Sequence, residues 1–330
     1  MKSVVKRTEL FLMCFSFLML SNAQQTAQKF IQETQYLLYL PEGYERDTTK
    51  QWPLMIFLHG SGESGVDLEK VKVHGPAKLI EAGKKFPFIV VSPQAPPQTG
   101  WKSDVLKALL DDLKKKLRVD RDRVYLTGLS MGGFGTWDLA EKYPDEFAAI
   151  APICGGGDVG KVWKLRHMPV WCFHGAKDNV VPIASSQIMV DSLRKFNAGV
   201  KFTIYPELEH NSWEVTYNND SLYDWFLSQK KFRYDSVSVP EKILKEYEGY
   251  YTNAKRDTLQ IVMENGKLIA KPGRKTIEFK ASSNTNFYWN PDSVDEVQFL
   301  RDKKGVVTGL SILTQEKEEA RKISVAKKMK

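Results

Sequence analysis

Cysteine and histidine are both scarce in this chain. The few cysteines exclude some classes of protein, and the few histidines limit the candidates for a catalytic base. Three cysteines among 330 residues are too few for a disulfide scaffold, and their spacing fits no zinc finger. Five histidines make it possible to compare every candidate for an acid–base role. Hydrophobic residues make up 42% and charged residues 27%, ordinary values for a folded protein that exclude collagen and wholesale disorder.

Long hydrophobic runs are also rare, and the first residues carry one that is too short to span a membrane. Leu10–Leu20 is apolar except for Ser16, and eleven residues fall well below the about 20 that a spanning helix needs. Basic residues precede this run and small residues follow it, up to Ala23. This layout predicts a secretory signal peptide over residues 1–23, cleaved near Ala23. The mature protein is then periplasmic or extracellular, without a stable membrane anchor; a retained anchor is the alternative.

Two cysteines, Cys154 and Cys172, remain in the mature chain. An exported protein can join such a pair in a disulfide. Both cysteines lie in apolar segments typical of strands, which favours buried free thiols. The sequence leaves the pairing open.

Residues 30–232 alternate short apolar runs with helical patterns, which predicts a doubly wound, mostly parallel α/β sheet. Ser103–Leu117 shows the clearest helix, with leucines spaced along one face. The apolar runs lack polar alternation, as expected of strands covered by helices on both faces. Seven segments are candidate strands: Gln35–Leu40, Leu54–Leu58, Phe88–Ser92, Arg123–Thr127, Ala148–Ile153, Val170–His174 and Lys201–Tyr205.

Residues 240–330 differ in pattern and predict a small antiparallel β module. Asn265-Gly266 is a two-residue hairpin turn of the kind whose central positions adopt positive φ. The segment after Thr314 reads as a charged tail. Five segments are candidate strands: Thr258–Met263, Lys267–Lys271, Thr276–Lys280, Val294–Leu300 and Val306–Leu313.

The excess of basic residues divides along the same boundary. The chain carries a net charge of +8, but residues 24–240 hold 27 basic and 26 acidic side chains, a net of +1. Residues 241–330 hold 18 and 13, a net of +5. The larger domain is nearly neutral, and the β module shows no basic stripe with regular aromatic partners. Nucleic acid is therefore not an expected partner.

A serine lies in the setting of a nucleophile at Gly128-Leu129-Ser130-Met131-Gly132. This is G-x-S-x-G directly after a strand and before a helical pattern, where the flanking glycines leave the strained turn free of side chains. A hydroxyl needs a base to accept its proton, and the base needs an acid to orient it. We therefore expect a histidine and a carboxylate in the order serine, acid, histidine.

His210 and Asp178 best meet that expectation. His210 follows the last strand of the domain, and Asp178 lies just past a strand end in the required order. His59 and His174 each close a strand as His-Gly and are expected to support the backbone, while His74 and His167 have no fixed context. Asp158 and Asp220 are the rival acids, but Asp158 precedes the relevant strand and Asp220 follows His210.

An oxyanion hole needs two fixed N–H donors. The residue after the nucleophile, Met131, supplies one. The loop Leu58–Gly65 is rich in glycine and follows an early strand, so the amide of Ser61, or next that of Gly62, is the candidate for the other. None of these roles requires a metal or a cofactor.

At these residues the chain resembles the α/β-hydrolase superfamily, and within it secreted bacterial carboxylesterases of the feruloyl- and acetylxylan-esterase type, also called predicted peptidases. The similarity covers about Tyr36 to Ser228 and includes Tyr39–Tyr44, His59-Gly60, Ser92–Gln94 and the Ser130 motif. It implies a sheet of the eight-stranded type, metal-free catalysis, and a triad of Ser130, Asp178 and His210. The C-terminal module resembles β modules found behind secreted bacterial hydrolases, through weak motifs.

About 16 residues connect the candidate strands ending at Ile153 and starting at Val170, too few for a helical lid. We therefore expect an open pocket, suited to esters carried on a bulky polymer. Trp101 and Trp213 are candidates for lining it, with ordinary packing as the alternative.

The sequence thus predicts a secreted serine carboxylesterase that hydrolyses esters, for example feruloyl or acetyl esters on plant polysaccharide. A serine peptidase or a polyester depolymerase of the same fold is the alternative. A further alternative is a non-catalytic glycan-binding protein built on the same scaffold.

Overall fold

The computed structural model describes residues 33–314 and 316–323, so the predicted signal peptide lies outside the described residues. The larger layer is a seven-stranded sheet in the order β1-β3-β2-β4-β5-β6-β7. Strand β1 is antiparallel to β3 and the other neighbours are parallel. The strands are β1 (Tyr36–Tyr39), β2 (Trp52–Leu58), β3 (Ile89–Pro93), β4 (Val119–Leu129), β5 (Ala149–Ile153), β6 (Trp171–Gly175) and β7 (Lys201–Tyr205).

Helices cover both faces of this sheet. They are α1 (Gly75–Glu81), α2 (Ser103–Lys116), α3 (Met131–Lys142), α4 (Ala184–Arg194), α5 (Trp213–Tyr217) and α6 (Asp220–Ser228). Single-turn or short 3₁₀ helices lie at Ser61–Glu63, Leu68–Val73, Pro144–Glu146 and Val162–Leu165. In the described chain, no helix combines the length and apolarity required to cross a membrane.

The alternation of side chains along β2 explains why that strand is apolar throughout. Leu54 and Ile56 point to the face covered by α2, α3 and α4, whereas Met55 and Phe57 point to the face covered by α1, α5 and α6. Every residue of β2 is buried. The prediction of a mostly parallel sheet covered on both faces is confirmed, with seven strands among the described residues.

Residues 249–323 form a closed antiparallel barrel of eight strands, preceded by the short helix α7 (Glu241–Glu246). A barrel of this size is filled by its own side chains, and Tyr251, Phe287 and Phe299 are among those buried inside it. The strands are β8 (Gly249–Thr252), β9 (Thr258–Glu264), β10 (Lys267–Pro272), β11 (Ile277–Ala281), β12 (Asn286–Tyr288), β13 (Glu296–Arg301), β14 (Val307–Leu313) and β15 (Lys317–Ile323).

The barrel contacts the amino-terminal edge of the parallel sheet. Asp145, which precedes β5, accepts a 2.6 Å hydrogen bond from the amide of Val294. Arg166, which precedes β6, donates to the carbonyl of Val294 and pairs with Glu296 at 3.4 Å. Since β5 and β6 are five residues long, the opposite edge of the sheet is about 17 Å away.

Candidate active site

Ser130 occupies the turn between β4 and α3. Its backbone has φ 53° and ψ −118°, a strained combination for a residue with a side chain. The glycines around it are required by close approach: a Cβ on Gly128 would lie 2.3 Å from the carbonyl oxygen of Gly132, and one on Gly132 would lie 2.0 Å from that of Leu58. The motif therefore lifts the hydroxyl above the carboxyl edge of the sheet.

Loops from two other strands bring the predicted base and acid to this serine. His210, between β7 and α5, places Nε2 at 2.9 Å from Ser130 Oγ. Its Nδ1 lies 2.7 Å from Oδ2 of Asp178, in the loop between β6 and α4. A carboxylate oxygen only accepts, so Nδ1 carries the hydrogen and Nε2 is free to accept the serine proton.

The Asp178 side chain is fully buried, yet the structure keeps it ionised. Burial alone would raise the pKa of this carboxyl. Hydrogen bonds from His210 and from the amides of Val181 and Val180 outweigh burial and hold the pKa below its ordinary value. The two amides donate to Oδ1 at 2.8 and 2.9 Å, which leaves Oδ2 for the imidazole.

The rival acids lie elsewhere. Asp158 is paired with Lys161 at 2.9 Å, and Asp220 is paired with Lys84. Neither is the carboxylate bonded to His210.

The loop after β2 runs beside Ser130. A Cβ on Gly60 would lie 3.7 Å from Ser130 Cβ, so the next amide, that of Ser61, belongs to a backbone segment close to the serine. The Glu63 carboxylate accepts a 2.8 Å hydrogen bond from the amide of Gly60 and fixes the turn. Met131 is the first residue of α3, so its amide has no acceptor within the helix. Both predicted oxyanion donors are therefore on this edge.

His59 supports that loop from below, in line with the backbone role expected of it. Its Nε2 accepts from the amide of Ala95 at 3.0 Å, so Nδ1 carries the hydrogen and donates to the carbonyl of Gly60 at 2.5 Å. Burial lowers the pKa of His59, consistent with a neutral ring. Trp101 donates from Nε1 to the His59 carbonyl at 3.1 Å, and the two rings lie 4.7 Å apart.

Trp213 packs against His210. Its ring meets the His210 imidazole edge-on, with centroids 5.0 Å apart, and only 8% of the residue is exposed. It also contacts His74, whose Nδ1 bonds Glu214 at 2.8 Å. The sequence predicted no role for His74, and the structure places its ring against that of Trp213. His167 lies at the barrel interface, stacked on Phe232 at 4.0 Å.

Both cysteines of the described chain are buried free thiols, so no disulfide joins them. Cys154 contacts the backbone of His210: its Sγ donates to the His210 carbonyl at 3.6 Å. Its thiol, the Asp178 carboxylate and the His210 imidazole have ligand atoms within 4.8 Å of one another, a spacing that also suits a metal. Burial raises the pKa of Cys154 to about 12, and Asp178 already accepts several hydrogen bonds. Hydrogen bonding accounts for the cluster.

The connection after β5 is short, and two exposed apolar residues lie close in sequence to Ser130 and Asp178. Between β5 and β6 the chain forms only the single helical turn Val162–Leu165. Phe134, on the first turn of α3, is 42% exposed, and Val180, two residues after Asp178, is 64% exposed. Neither residue was predicted from the sequence as part of the site. Their closeness in sequence to Ser130 and Asp178 was the available signal.

Comparison with known proteins agrees with this architecture. Residues 20–221 match the dienelactone hydrolase family, and residues 233–327 match a domain of unknown function, DUF3471. The first match covers more than half of the chain.

Three similar proteins illustrate the match. Over 140 residues the chain is 29% identical to the bifunctional acetylxylan esterase/xylanase XynS20E of Neocallimastix patriciarum, covering 39% of this chain and 20% of that protein. Over 155 residues it is 28% identical to a probable feruloyl esterase C of Aspergillus terreus, covering 45% and 56%. The crystal structure of a thermostable esterase aligns with a TM-score of 0.52 and 31% identity over 59% of each chain.

The chain spans about a fifth to just over half of the length of these two curated relatives. The family match is broader, extending across all seven strands of the sheet. This chain belongs to the dienelactone hydrolase family of α/β-hydrolases.

Proposed function

We propose that this protein is a serine carboxylesterase with Ser130, His210 and Asp178 as its catalytic triad. The observation that carries the proposal is the pair of contacts at His210, 2.9 Å to Ser130 Oγ and 2.7 Å to Asp178 Oδ2. This pair connects nucleophile, base and acid in the arrangement that serine hydrolases of unrelated folds share.

In the acylation half, Ser130 Oγ attacks the ester carbonyl carbon while its proton passes to His210 Nε2. The tetrahedral intermediate collapses, His210 protonates the departing alcohol oxygen, and the acyl group stays on Ser130. In the deacylation half, water attacks the acyl carbon and gives a proton to His210. Ser130 then leaves with that proton, and a carboxylic acid is released.

The amides of Ser61 and Met131 would hold the oxyanion in both tetrahedral intermediates. Donors fixed before the reaction need no reorganisation as charge develops, which is why such holes lower barriers effectively. The bond from the Gly60 amide to Glu63 supports this role, because it fixes the loop that presents Ser61. Side chains, amides and water supply every group in this scheme, without a metal or cofactor.

For the substrate we propose acyl esters carried on a plant polysaccharide, such as acetyl or feruloyl esters. The short connection after β5 would leave room for a bulky alcohol side, and the exposed ring of Phe134 offers an apolar contact for an acyl group. Two relatives are named acetylxylan esterase and feruloyl esterase, which supports the same class. Trp101 and Trp213 would shape the site from behind, through His59 and His210.

Export through a signal peptide over residues 1–23 belongs to this proposal, since polysaccharide lies outside the cell. N-terminal sequencing of the secreted protein tests it. A mature chain that begins near residue 24 is expected.

Ester turnover by the Ser130→Ala variant tests the catalytic proposal. Removal of a nucleophile that works as a unit with its base should lower kcat by about 10⁴-fold or more. Ser221→Ala, an exposed serine on α6, is the matched control and should keep full activity. A panel of aryl acetates, acetylated xylan, feruloylated sugars and peptides then identifies the substrate class. Unchanged turnover by Ser130→Ala would refute the triad.

A further inference from the structure

Two imidazoles approach the same oxygen of Asp178. His210 Nδ1 lies 2.7 Å from Oδ2, and on another side His174 Nε2 lies 3.2 Å from that oxygen. His174 is the fourth residue of β6, and its side chain, like that of Asp178, is fully buried. The second imidazole is not part of the triad, so its place beside the acid needs an explanation.

The neighbours of the His174 ring show which of its two nitrogens carries a hydrogen. The other neighbour of Nε2 is the carbonyl oxygen of Val181, at 2.9 Å. A carbonyl and a carboxylate both only accept, so Nε2 must carry a hydrogen. Burial lowers the pKa of His174, so the ring is neutral and Nδ1 is its acceptor side. The single Nε2 hydrogen of His174 is directed at the Val181 carbonyl and also lies beside the Asp178 carboxylate, so it contacts the acid as a neutral, polar N–H group.

Ser186 holds the far side of this ring. Its Oγ lies 2.8 Å from His174 Nδ1 and 2.7 Å from the carbonyl oxygen of Gly155. Ser186 is completely buried on α4, and Gly155 follows β5. The Ser186 hydroxyl has one hydrogen, which it can donate to His174 Nδ1 or to the Gly155 carbonyl oxygen. The contacts join α4, β6 and the segment after β5 behind the acid.

We infer that His174, oriented by Ser186, is a positioning residue that fixes the Asp178 carboxylate so that Oδ2 faces His210. The inference rests on the triad proposed above. The Nε2–H group of His174 contacts the oxygen that orients the base and touches neither Ser130 nor the substrate. The backbone amides of Val180 and Val181 hold Oδ1, and His174 supplies the matching restraint on Oδ2.

This arrangement affects both geometry and electrostatics. A carboxylate restrained at both oxygens cannot rotate away from His210, and misplacement of a catalytic group by about 1 Å can cost about 100-fold in rate. The nearby Nε2–H group of His174 also stabilises part of the negative charge on Oδ2. His210 faces Asp178, His174 and the neutral thiol of Cys154, so Asp178 is the ionised group that stabilises its imidazolium. Loss of the His174 N–H group should stabilise that imidazolium further.

Three variants separate positioning from simple packing. His174→Leu keeps an apolar side chain of similar size and removes the donor. His174→Gln retains an N–H donor of similar reach. Leu193→Ala is the matched control: Leu193 is completely buried on α4, two turns beyond Ser186, and its truncation creates a cavity in the core. The readouts are kcat, KM, the pH profile of kcat/KM and the melting temperature.

His174→Leu should lower kcat by up to about 100-fold while KM changes by less than about twofold, since ground-state binding is untouched. The midpoint of the acidic limb of kcat/KM should move to higher pH. His174→Gln should recover most of kcat and the original midpoint. Leu193→Ala should lower the melting temperature but leave kcat and the pH profile as in the wild type.

A His174→Leu variant that folds and keeps kcat and the wild-type pH profile overturns the inference. If His174→Leu does not fold, the variants Ser186→Ala and His174→Gln test whether His174 positions Asp178. Positioning is supported if Ser186→Ala has a lower kcat and a higher acidic midpoint while His174→Gln behaves nearly as the wild type. If Ser186→Ala keeps the wild-type kcat and pH profile, the inference is overturned. Failure of the triad itself is distinguishable, because the wild-type protein would then show no Ser130-dependent turnover.

Discussion

The carboxylate of Asp145 accepts a 2.6 Å hydrogen bond from the backbone amide of Val294, which ties the sheet domain to the barrel. Ser293 adds a second bond to the same carboxylate at 3.3 Å. Asp145 lies just before β5, at the edge of the sheet away from Ser130. The barrel therefore supports the domain from the side opposite the proposed catalytic centre.

Removing Glu296 should destabilise the protein without slowing ester hydrolysis. Glu296 and its partner Arg166 have side chains only 7% and 9% exposed, so Glu296→Gln would leave a buried guanidinium without its counter-charge. We expect a loss of about 3–5 kcal/mol in the free energy of unfolding, with kcat on a small ester unchanged. Denaturant unfolding and aryl acetate kinetics measure the two quantities.

Arg233→Ala is the control for that variant. Arg233 contacts Asp122 and Asp292 at 2.8 and 3.0 Å in the same region, but its side chain is 54% exposed. Its loss should cost at most about 1 kcal/mol. If kcat of Glu296→Gln fell together with stability, the barrel would have to contribute to the catalytic site.

Glu141 should make the stability of the protein fall as pH rises. It is buried on α3, and burial raises its pKa from 4.5 to about 8. The folded state then binds this proton more tightly than the unfolded state. The resulting stabilisation is complete below about pH 4.5 and is lost progressively up to about pH 8.

The variant Glu141→Gln, which resembles the protonated acid, isolates this effect. Its stability relative to the wild type should be higher at pH 8 than at pH 5 by a few kcal/mol, roughly the value of the pKa difference. Chemical denaturation at the two pH values gives the comparison. An equal difference at both pH values would show that Glu141 is ionised in the folded state.

Asp178→Asn should abolish most activity while the protein stays folded. An amide at this position can donate to Nδ1 and favour the wrong tautomer of His210, an exchange that lowers kcat by about 10⁴-fold in a triad. Asp158→Asn is the matched control, because Asp158 pairs with Lys161 on the surface. Equal activity of Asp178→Asn and the wild type would mean that another group orients His210.

Phe134→Ala should discriminate between acyl groups. Loss of the exposed ring should lower kcat/KM for feruloyl esters by about 3- to 10-fold, the range of one aromatic contact, and leave acetyl esters nearly unchanged. Ile188→Ala, an exposed apolar residue on α4, serves as control. Equal losses on both esters would place Phe134 in folding or general binding rather than in acyl recognition.

The sheet was predictable because its strands are apolar on both faces and separated by helical patterns. Most of the predicted strands lie within two residues of the observed ones. Strand β4 extends further, starting at Val119 instead of Arg123, because its first part carries charged residues that periodicity assigns to a loop.

The barrel was only partly predictable. Strand β15, Lys317–Ile323, reads as a charged tail, and only Ala320 on it is buried. It is held in place by pairing with β14 and β8, which is a non-local contact that no sequence window contains. Strand β12 has three residues, too few to establish a period. Closure of these strands into a barrel therefore could not be predicted from the sequence.

The residues proposed for catalysis could be predicted from the motif and the chain order. The contacts of the residues around them could not. His174 was expected to serve the backbone, and its Nε2 does contact the Val181 carbonyl. Its contact with Asp178 depends on the path of the loop after β6. His74 and Trp213 likewise meet through α1 and α5, which are far apart in the chain.

Mass spectrometry after reaction with a fluorophosphonate shows directly whether Ser130 is an activated nucleophile. The probe phosphonylates a serine hydroxyl that is activated by a neighbouring base, with loss of fluoride. We predict one covalent adduct per chain, located on the peptide that contains Ser130, absent from Ser130→Ala and formed far more slowly in His210→Gln. An adduct on a different residue, or no adduct on a folded wild-type protein, would contradict the account.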